Sequence, residues 1–193
     1  MYYSSGKTPV AAPLLKKIDS LAVRIYPSSQ EMALAAAASA RDYLQNLARQ
    51  KSHLAAILAT GNSQIAFLAH LTQLSGIDWQ RITLFHLDEF LGIPGDHPAS
   101  FQTYFRQRVE SRVTLAEFHY IQGDCWEPAR ECDRYAQLLA AQAIDFCCLG
   151  VGQNGHLAFN EPEVANFRDN SAIKIVKLAE STRQAQVGDS LFP

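Results

Sequence analysis

Three segments combine residue types that can move protons and hold anions. In Leu84–Gly92, LFHLDEFLG, the acids Asp88 and Glu89 stand side by side after an apolar run. Successive strand side chains point to opposite faces, so the two acids are expected to have separate roles. Asp88 suits a general base, and Glu89 its orienter or an ion-pair partner; the plainer alternative is a solvated strand end. In Gly150–Pro162, GVGQNGHLAFNEP, the glycines permit positive φ and close approach of backbone to a ligand. Histidine ionises near neutrality, so His156 could carry a proton to and from a substrate oxygen. Glu161 is near enough in sequence to hydrogen-bond His156 and fix its tautomer. A lone histidine is more often structural, but one in a glycine-rich loop with a nearby acid reads as functional. The third segment, Ala59–Gln64, reads ATGNSQ. An apolar strand, a glycine turn and a helix start would expose backbone N–H groups at a helix dipole, a place for phosphate. It lacks the Gly-Lys-Ser/Thr of a nucleotide loop and the three-glycine dinucleotide pattern. The plain alternative is an ordinary turn in which Ser63 caps the helix.

Alternating elements must position these loops. Strands are expected at Leu21–Tyr26, Leu54–Ala59, Ile82–Leu87, Phe118–Ile121, Ile144–Leu149 and Lys174–Leu178. Helices are expected over Gln30–Gln50, with Ser28 or Ser29 as N-cap, and over Gln64–Leu74, stopped by Gly76. Two more are expected, from Ser100 towards Val109 and from Pro128 to Gln142. Met32, Ala36, Ala40, Tyr43, Leu44 and Leu47 form the expected inward stripe of the first. Such alternation argues for α/β: a three-layer α/β/α, doubly wound, mostly parallel sheet with the site in the strand-end loops.

The chain has 193 residues, 48% apolar and 19% charged, with net charge −2. That fits one domain with a sizeable core. No basic stripe points to nucleic acid, and no apolar run reaches the ~20 residues of a membrane span. Residues 1–17 lack the apolar stretch of a signal peptide. The cysteines, Cys125, Cys132, Cys147 and Cys148, lack CxxC spacing. They read as reduced thiols in a cytoplasmic protein, with Cys147 and Cys148 buried in an apolar run. His86, Asp88 and His97 are close in sequence but make no HExxH pattern, so no metal is expected.

Taken together, LATGNSQ, FHLDEFLGIPGDHPASFQTYF, LGVGQNGHLAFNEP and ESTRQA resemble the glucosamine-6-phosphate deaminase family, within the wider group that includes 6-phosphogluconolactonases. The resemblance runs from roughly Leu21 to Phe192. The Phe159–Pro162 ending and Asp96–Pro98 favour the deaminase branch over the lactonases. The resemblance implies deamination and isomerisation of glucosamine 6-phosphate to fructose 6-phosphate, without cofactor. It makes Asp88 the base between C2 and C1, His156 the ring-opening residue and Glu161 its acidic partner. Thr60, Gly61, Asn62 and Ser63 match the phosphate loop, and Arg183 an arginine that closes from a lid, Glu163 to Val187. Glu89 and Gly155 join the substrate-binding set, and Asn154, where many relatives carry aspartate, the catalytic set. Gln64 replaces a usual proline. One domain over residues 1–193 is implied, lacking the family's C-terminal strand, helix and phosphate-holding lysine. The implied partner is a small sugar phosphate, with no nucleic acid or membrane; assembly as a homo-oligomer is left open. A lactonase and a non-catalytic sugar-phosphate sensor are the alternatives, with a metal hydrolase behind them.

Overall fold

The computed structural model describes residues 12–152 and 154–188. Gln153, Phe192 and the first eleven residues lie outside them. Strands β3 (Leu54–Leu58) and β4 (Ile82–His86) are the centre of the fold, and every residue of both except Ile57 is buried. Their sequences, LAAIL and ITLFH, lack the polar alternation of a half-solvated strand, because helices cover both faces. β5 (Glu117–His119) pairs with β4, and β6 (Phe146–Cys147) with β3, giving a four-stranded parallel sheet of order β5-β4-β3-β6. The chain runs outward from β3 to β5 and then returns to β6 on the far side of β3. The switch point therefore falls between β3 and β6, where open α/β sheets bind ligands.

α1 (Ser29–Ala48), α2 (Asn62–Leu71) and α3 (Phe101–Phe105) pack on one face of the sheet. α4 (Pro128–Ala140) covers the other, where Tyr135 meets Phe85 and Ala55. Ser28 is the N-cap of α1 and accepts from the Glu31 N–H at 3.2 Å. The inward stripe of α1 is Ala33, Ala37, Ala40 and Leu44. Met32 and Tyr43, expected inside, are 42% and 48% exposed. Three of the four inward residues are alanine, which lets α1 approach both the sheet and α2 closely.

Other expectations are also corrected. The strand expected at Leu21–Tyr26 exists as β2 (Leu21–Ile25), but it pairs antiparallel with β1 (Leu14–Ile18) outside the parallel sheet. α2 ends at Leu71, before Gly76. β6 has two residues rather than six, and Cys147 on it is exposed rather than buried, because β6 is an edge strand. Lys174–Leu178 joins no strand ladder among the described residues. No helix of the described residues is long and apolar enough to cross a membrane.

Candidate active site

The loops that leave the carboxyl ends of β3, β4 and β6 meet around a cleft of about 650 Å³. The parallel register makes this inevitable. Leu58 pairs with His86 and Ile57 with Cys147, so all three loops begin at one edge of the sheet. Thr60, Gly61, Asn62 and Ser63 line the cleft from the first loop, Asp88 from the second, and Asn154 and His156 from the third.

Gly61 is the N-cap of α2 and has φ 104°, a conformation that favours glycine. No side chain caps α2, so Ser63 is not the capping residue. The first turn of α2 lies at the cleft, and a helix N-terminus attracts anions. Gln64 is buried and ties this loop to the end of β6: its amide donates to Ser63 Oγ at 3.1 Å and accepts from Cys148 Sγ at 3.1 Å.

Asp88 and Glu89 have different surroundings. Burial raises Asp88 to about 7, with the adjacent Glu89 charge adding to the effect. Its carboxylate accepts no hydrogen bond from the described residues. Glu89 instead accepts from the N–H groups of Phe90, Phe101 and Gln102 and from Ser100 Oγ, all within 3.2 Å. It therefore anchors the loop after β4 to the N-terminus of α3, and it faces away from the main cleft.

The third loop forms a relay that runs from exposed Asn154 and half-buried His156 to buried Glu161. Asn154 Oδ1 lies 2.6 Å from His156 Nδ1, and Asn154 Nδ2 donates to Glu161 Oε2 at 2.6 Å. Glu161 Oε2 is itself 3.1 Å from His156 Nδ1. Both neighbours of Nδ1 are acceptors, so Nδ1 carries the proton and neutral His156 keeps a lone pair on Nε2. Glu161 is 1% exposed. Burial pushes its carboxyl up, but the hydrogen bond from Asn154 and the nearby Thr182 and His156 bring it below the ordinary range. It stands behind His156 rather than in the cleft. Gly155, at φ 88°, turns the chain without lining the cleft, and Ala158 adopts a left-handed φ of 54°. Phe159 packs on Phe90 and Phe101 at 5.3 and 5.9 Å and separates the main cleft from a second one of about 450 Å³.

α5 (Glu180–Gly188) contributes Ser181, Thr182 and Gln186 to the cleft. Arg183 on the same helix pairs with Glu180 outside it. His86 is 1% exposed among aromatic rings on the α3 side of the sheet, and its Nε2 accepts from the Ile121 N–H. It is therefore no cleft ligand. Tyr104 and Arg108 line the cleft but are absent from the sequence-derived set. Their i, i+4 spacing puts them on one helix face; spacing alone does not aim that face at the cleft.

Residues 27–185 match the family model of glucosamine-6-phosphate isomerases/6-phosphogluconolactonase. A glucosamine-6-phosphate deaminase of Exiguobacterium sibiricum is 35% identical over 73% of this chain and 54% of its own length. One from Bacillus cereus is 31% identical over 75% of the chain and 53% of its own. The chain thus spans about half the length of the curated relatives it matches. Among solved structures, a monomeric glucosamine-6-phosphate deaminase superposes with TM-score 0.75 at 29% identity, over 86% of this chain and 68% of that one. A 6-phosphogluconolactonase from Thermotoga maritima shares the fold, with TM-score 0.59 at 23% identity, over 65% of this chain and 58% of that one. The chain belongs to the glucosamine-6-phosphate isomerase/6-phosphogluconolactonase family.

Proposed function

We propose that the protein deaminates and isomerises glucosamine 6-phosphate to fructose 6-phosphate and ammonia. The observation that carries this reading is Asp88: a carboxyl held at about 7, without a hydrogen-bond donor among the described residues, in the cleft that also holds His156 and the α2 N-terminus. A carbon acid needs a base of this kind, half ionised near neutrality and not already engaged. His156 Nε2 takes the C1 hydroxyl proton and returns one to the ring oxygen, which opens the ring. Asp88 then removes the C2 proton and delivers it to C1, turning the aldose amine into a ketose imine. Water adds to C2 and ammonia leaves. Glu161 and Asn154 hold His156 in the tautomer that leaves Nε2 free. Thr60, Gly61, Asn62 and Ser63 receive the phosphate, and Gly155 shapes the loop beside it. Glu89 positions Asp88 through α3. Arg183 would reach the phosphate only after leaving Glu180.

The similarity to named deaminases supports this reading, and the four free cysteines suit a reducing cytoplasm. The test is a coupled assay for ammonia and fructose 6-phosphate from glucosamine 6-phosphate, with Asp88→Asn as control. Product from wild type alone is expected; equal product from the variant would overturn the role of Asp88. A lactonase is the second reading, because a free His156 Nε2 can also activate water without a carbon base. Hydrolysis of 6-phosphogluconolactone that survives Asp88→Asn would favour it.

A further inference from the structure

A phosphate ester brings close to two negative charges into this cleft, and Arg183 is turned out of it. Arg108 is the one lysine or arginine that lines the cleft among the described residues. It sits on a π-helical turn, Arg106–Glu110, that continues α3; such turns lose the regular i→i−4 bonding and recur at functional sites. The side chain is half-buried, and no described carboxylate forms an ion pair with it. Its neighbours on the same turn are engaged elsewhere. Arg106 donates to Gly95 O and Gln102 Oε1, and Glu110 accepts from Tyr120 Oη.

Arg108 is also held in place. Its guanidinium lies 4.2 Å from the centroid of the Tyr104 ring. The Tyr104 hydroxyl in turn donates to Gly61 O at 3.2 Å. Tyr104 therefore connects the guanidinium to the loop at the α2 N-terminus through a single side chain. Stacking on an aromatic face uses the flat side of the guanidinium and leaves its in-plane N–H groups for an anion.

We infer that Arg108, carried on Tyr104, is the cation that binds the substrate phosphate at the Thr60–Ser63 loop and so selects phosphorylated over free amino sugars. This rests on the sugar-phosphate reading of the cleft and deepens it. Arg108 acts on binding and takes no part in proton transfer. Its removal is expected to raise KM and leave kcat nearly unchanged.

The experiment is calorimetric titration of wild type, Arg108→Met and Arg108→Lys with glucosamine 6-phosphate and with inorganic phosphate. Thermal melts of each protein accompany the titrations. A charge-assisted pair lost to methionine is expected to weaken both ligands roughly 10–100-fold. Lysine, which keeps charge without the fork, should fall between. If wild type binds the sugar phosphate and Arg108→Met binds it equally, the assignment of Arg108 is overturned and the reading of the cleft stands. If Arg108→Met does not fold, Arg108→Lys decides: unchanged affinity overturns the assignment, and weakened affinity with an unchanged melt supports it. If wild type binds neither ligand at millimolar concentration, the sugar-phosphate reading fails and the role of Arg108 fails with it.

Discussion

His156 lies so close over Gly152 that a Cβ at Gly152 would come within 2.2 Å of the imidazole Cε1 and Nε2. The glycine is thus the floor on which the imidazole rests. Gly152→Ala is expected to displace the ring and lower kcat roughly 10²–10⁴-fold, with a much smaller change in KM. A variant with wild-type kcat would show that the ring position is not needed.

Asp88 is expected to set the pH response of both activity and stability. Its folded pKa of about 7 lies above the ordinary 3.8, so the native state holds the proton more tightly than the unfolded chain. Stability is then greatest below the unfolded value and declines as pH rises towards about 7, where the buried carboxyl ionises. Asp88→Asn should abolish turnover, retain sugar-phosphate binding, and raise the melting temperature relative to wild type above neutrality. In wild type, kcat/KM should climb through an acid limb near 7. Melting curves at several pH values that show no gain for the variant would argue that Asp88 is well solvated.

Asn154 is the one group in the relay that both donates and accepts, giving to Glu161 and accepting from His156. Asn154→Asp would set two carboxylates at hydrogen-bond distance. The pair would titrate together, one member pushed above the ordinary carboxylate range. A new acidic ionisation in the kcat profile is expected. A profile identical to wild type would mean that the aspartate turns away.

Glu89→Gln removes the charge that adds to the elevation of Asp88 and weakens the anchorage of α3. The acid limb of kcat/KM should move below that of wild type, and stability should fall by about 1–3 kcal/mol. Denaturant unfolding and the pH profile test the two effects separately. Ser100→Ala, which removes the side-chain cap of α3, should cost about 1 kcal/mol and leave the limb in place.

Most of what the sequence made legible was local. The apolar runs at β3 and β4 and the capping serine Ser28 follow from short-range chemistry. So does the convergence of three strand-end loops, once a parallel sheet is assumed. Where tertiary packing decides, the sequence misled. Helical spacing placed Met32, Ala36 and Tyr43 inside α1, but the face that meets the sheet and α2 is that of Ala33, Ala37, Ala40 and Leu44. The run before Gly150 reads as a long strand, but among the described residues β6 has a single neighbour and pairs over two residues. In the site, the roles of Asp88, His156 and Glu161 were suggested by residue type. Strand alternation anticipated separate roles for Asp88 and Glu89, but the partners of Glu89 needed the position of α3, and Arg108 needed the aim of a π-helical turn.

The central place of β3 has a metric consequence. On the proposed reading β3 carries the loop that receives the phosphate, and its two neighbours lead into the loops of the carboxyl and the imidazole, each strand paired to it in parallel. Strand register therefore sets where the three loops start relative to one another. Register changes only in whole residues, about 3.3 Å each, a step longer than any bond in a sugar. Substitutions can retune side chains here continuously, but the offsets between the loop starts are quantised by the sheet.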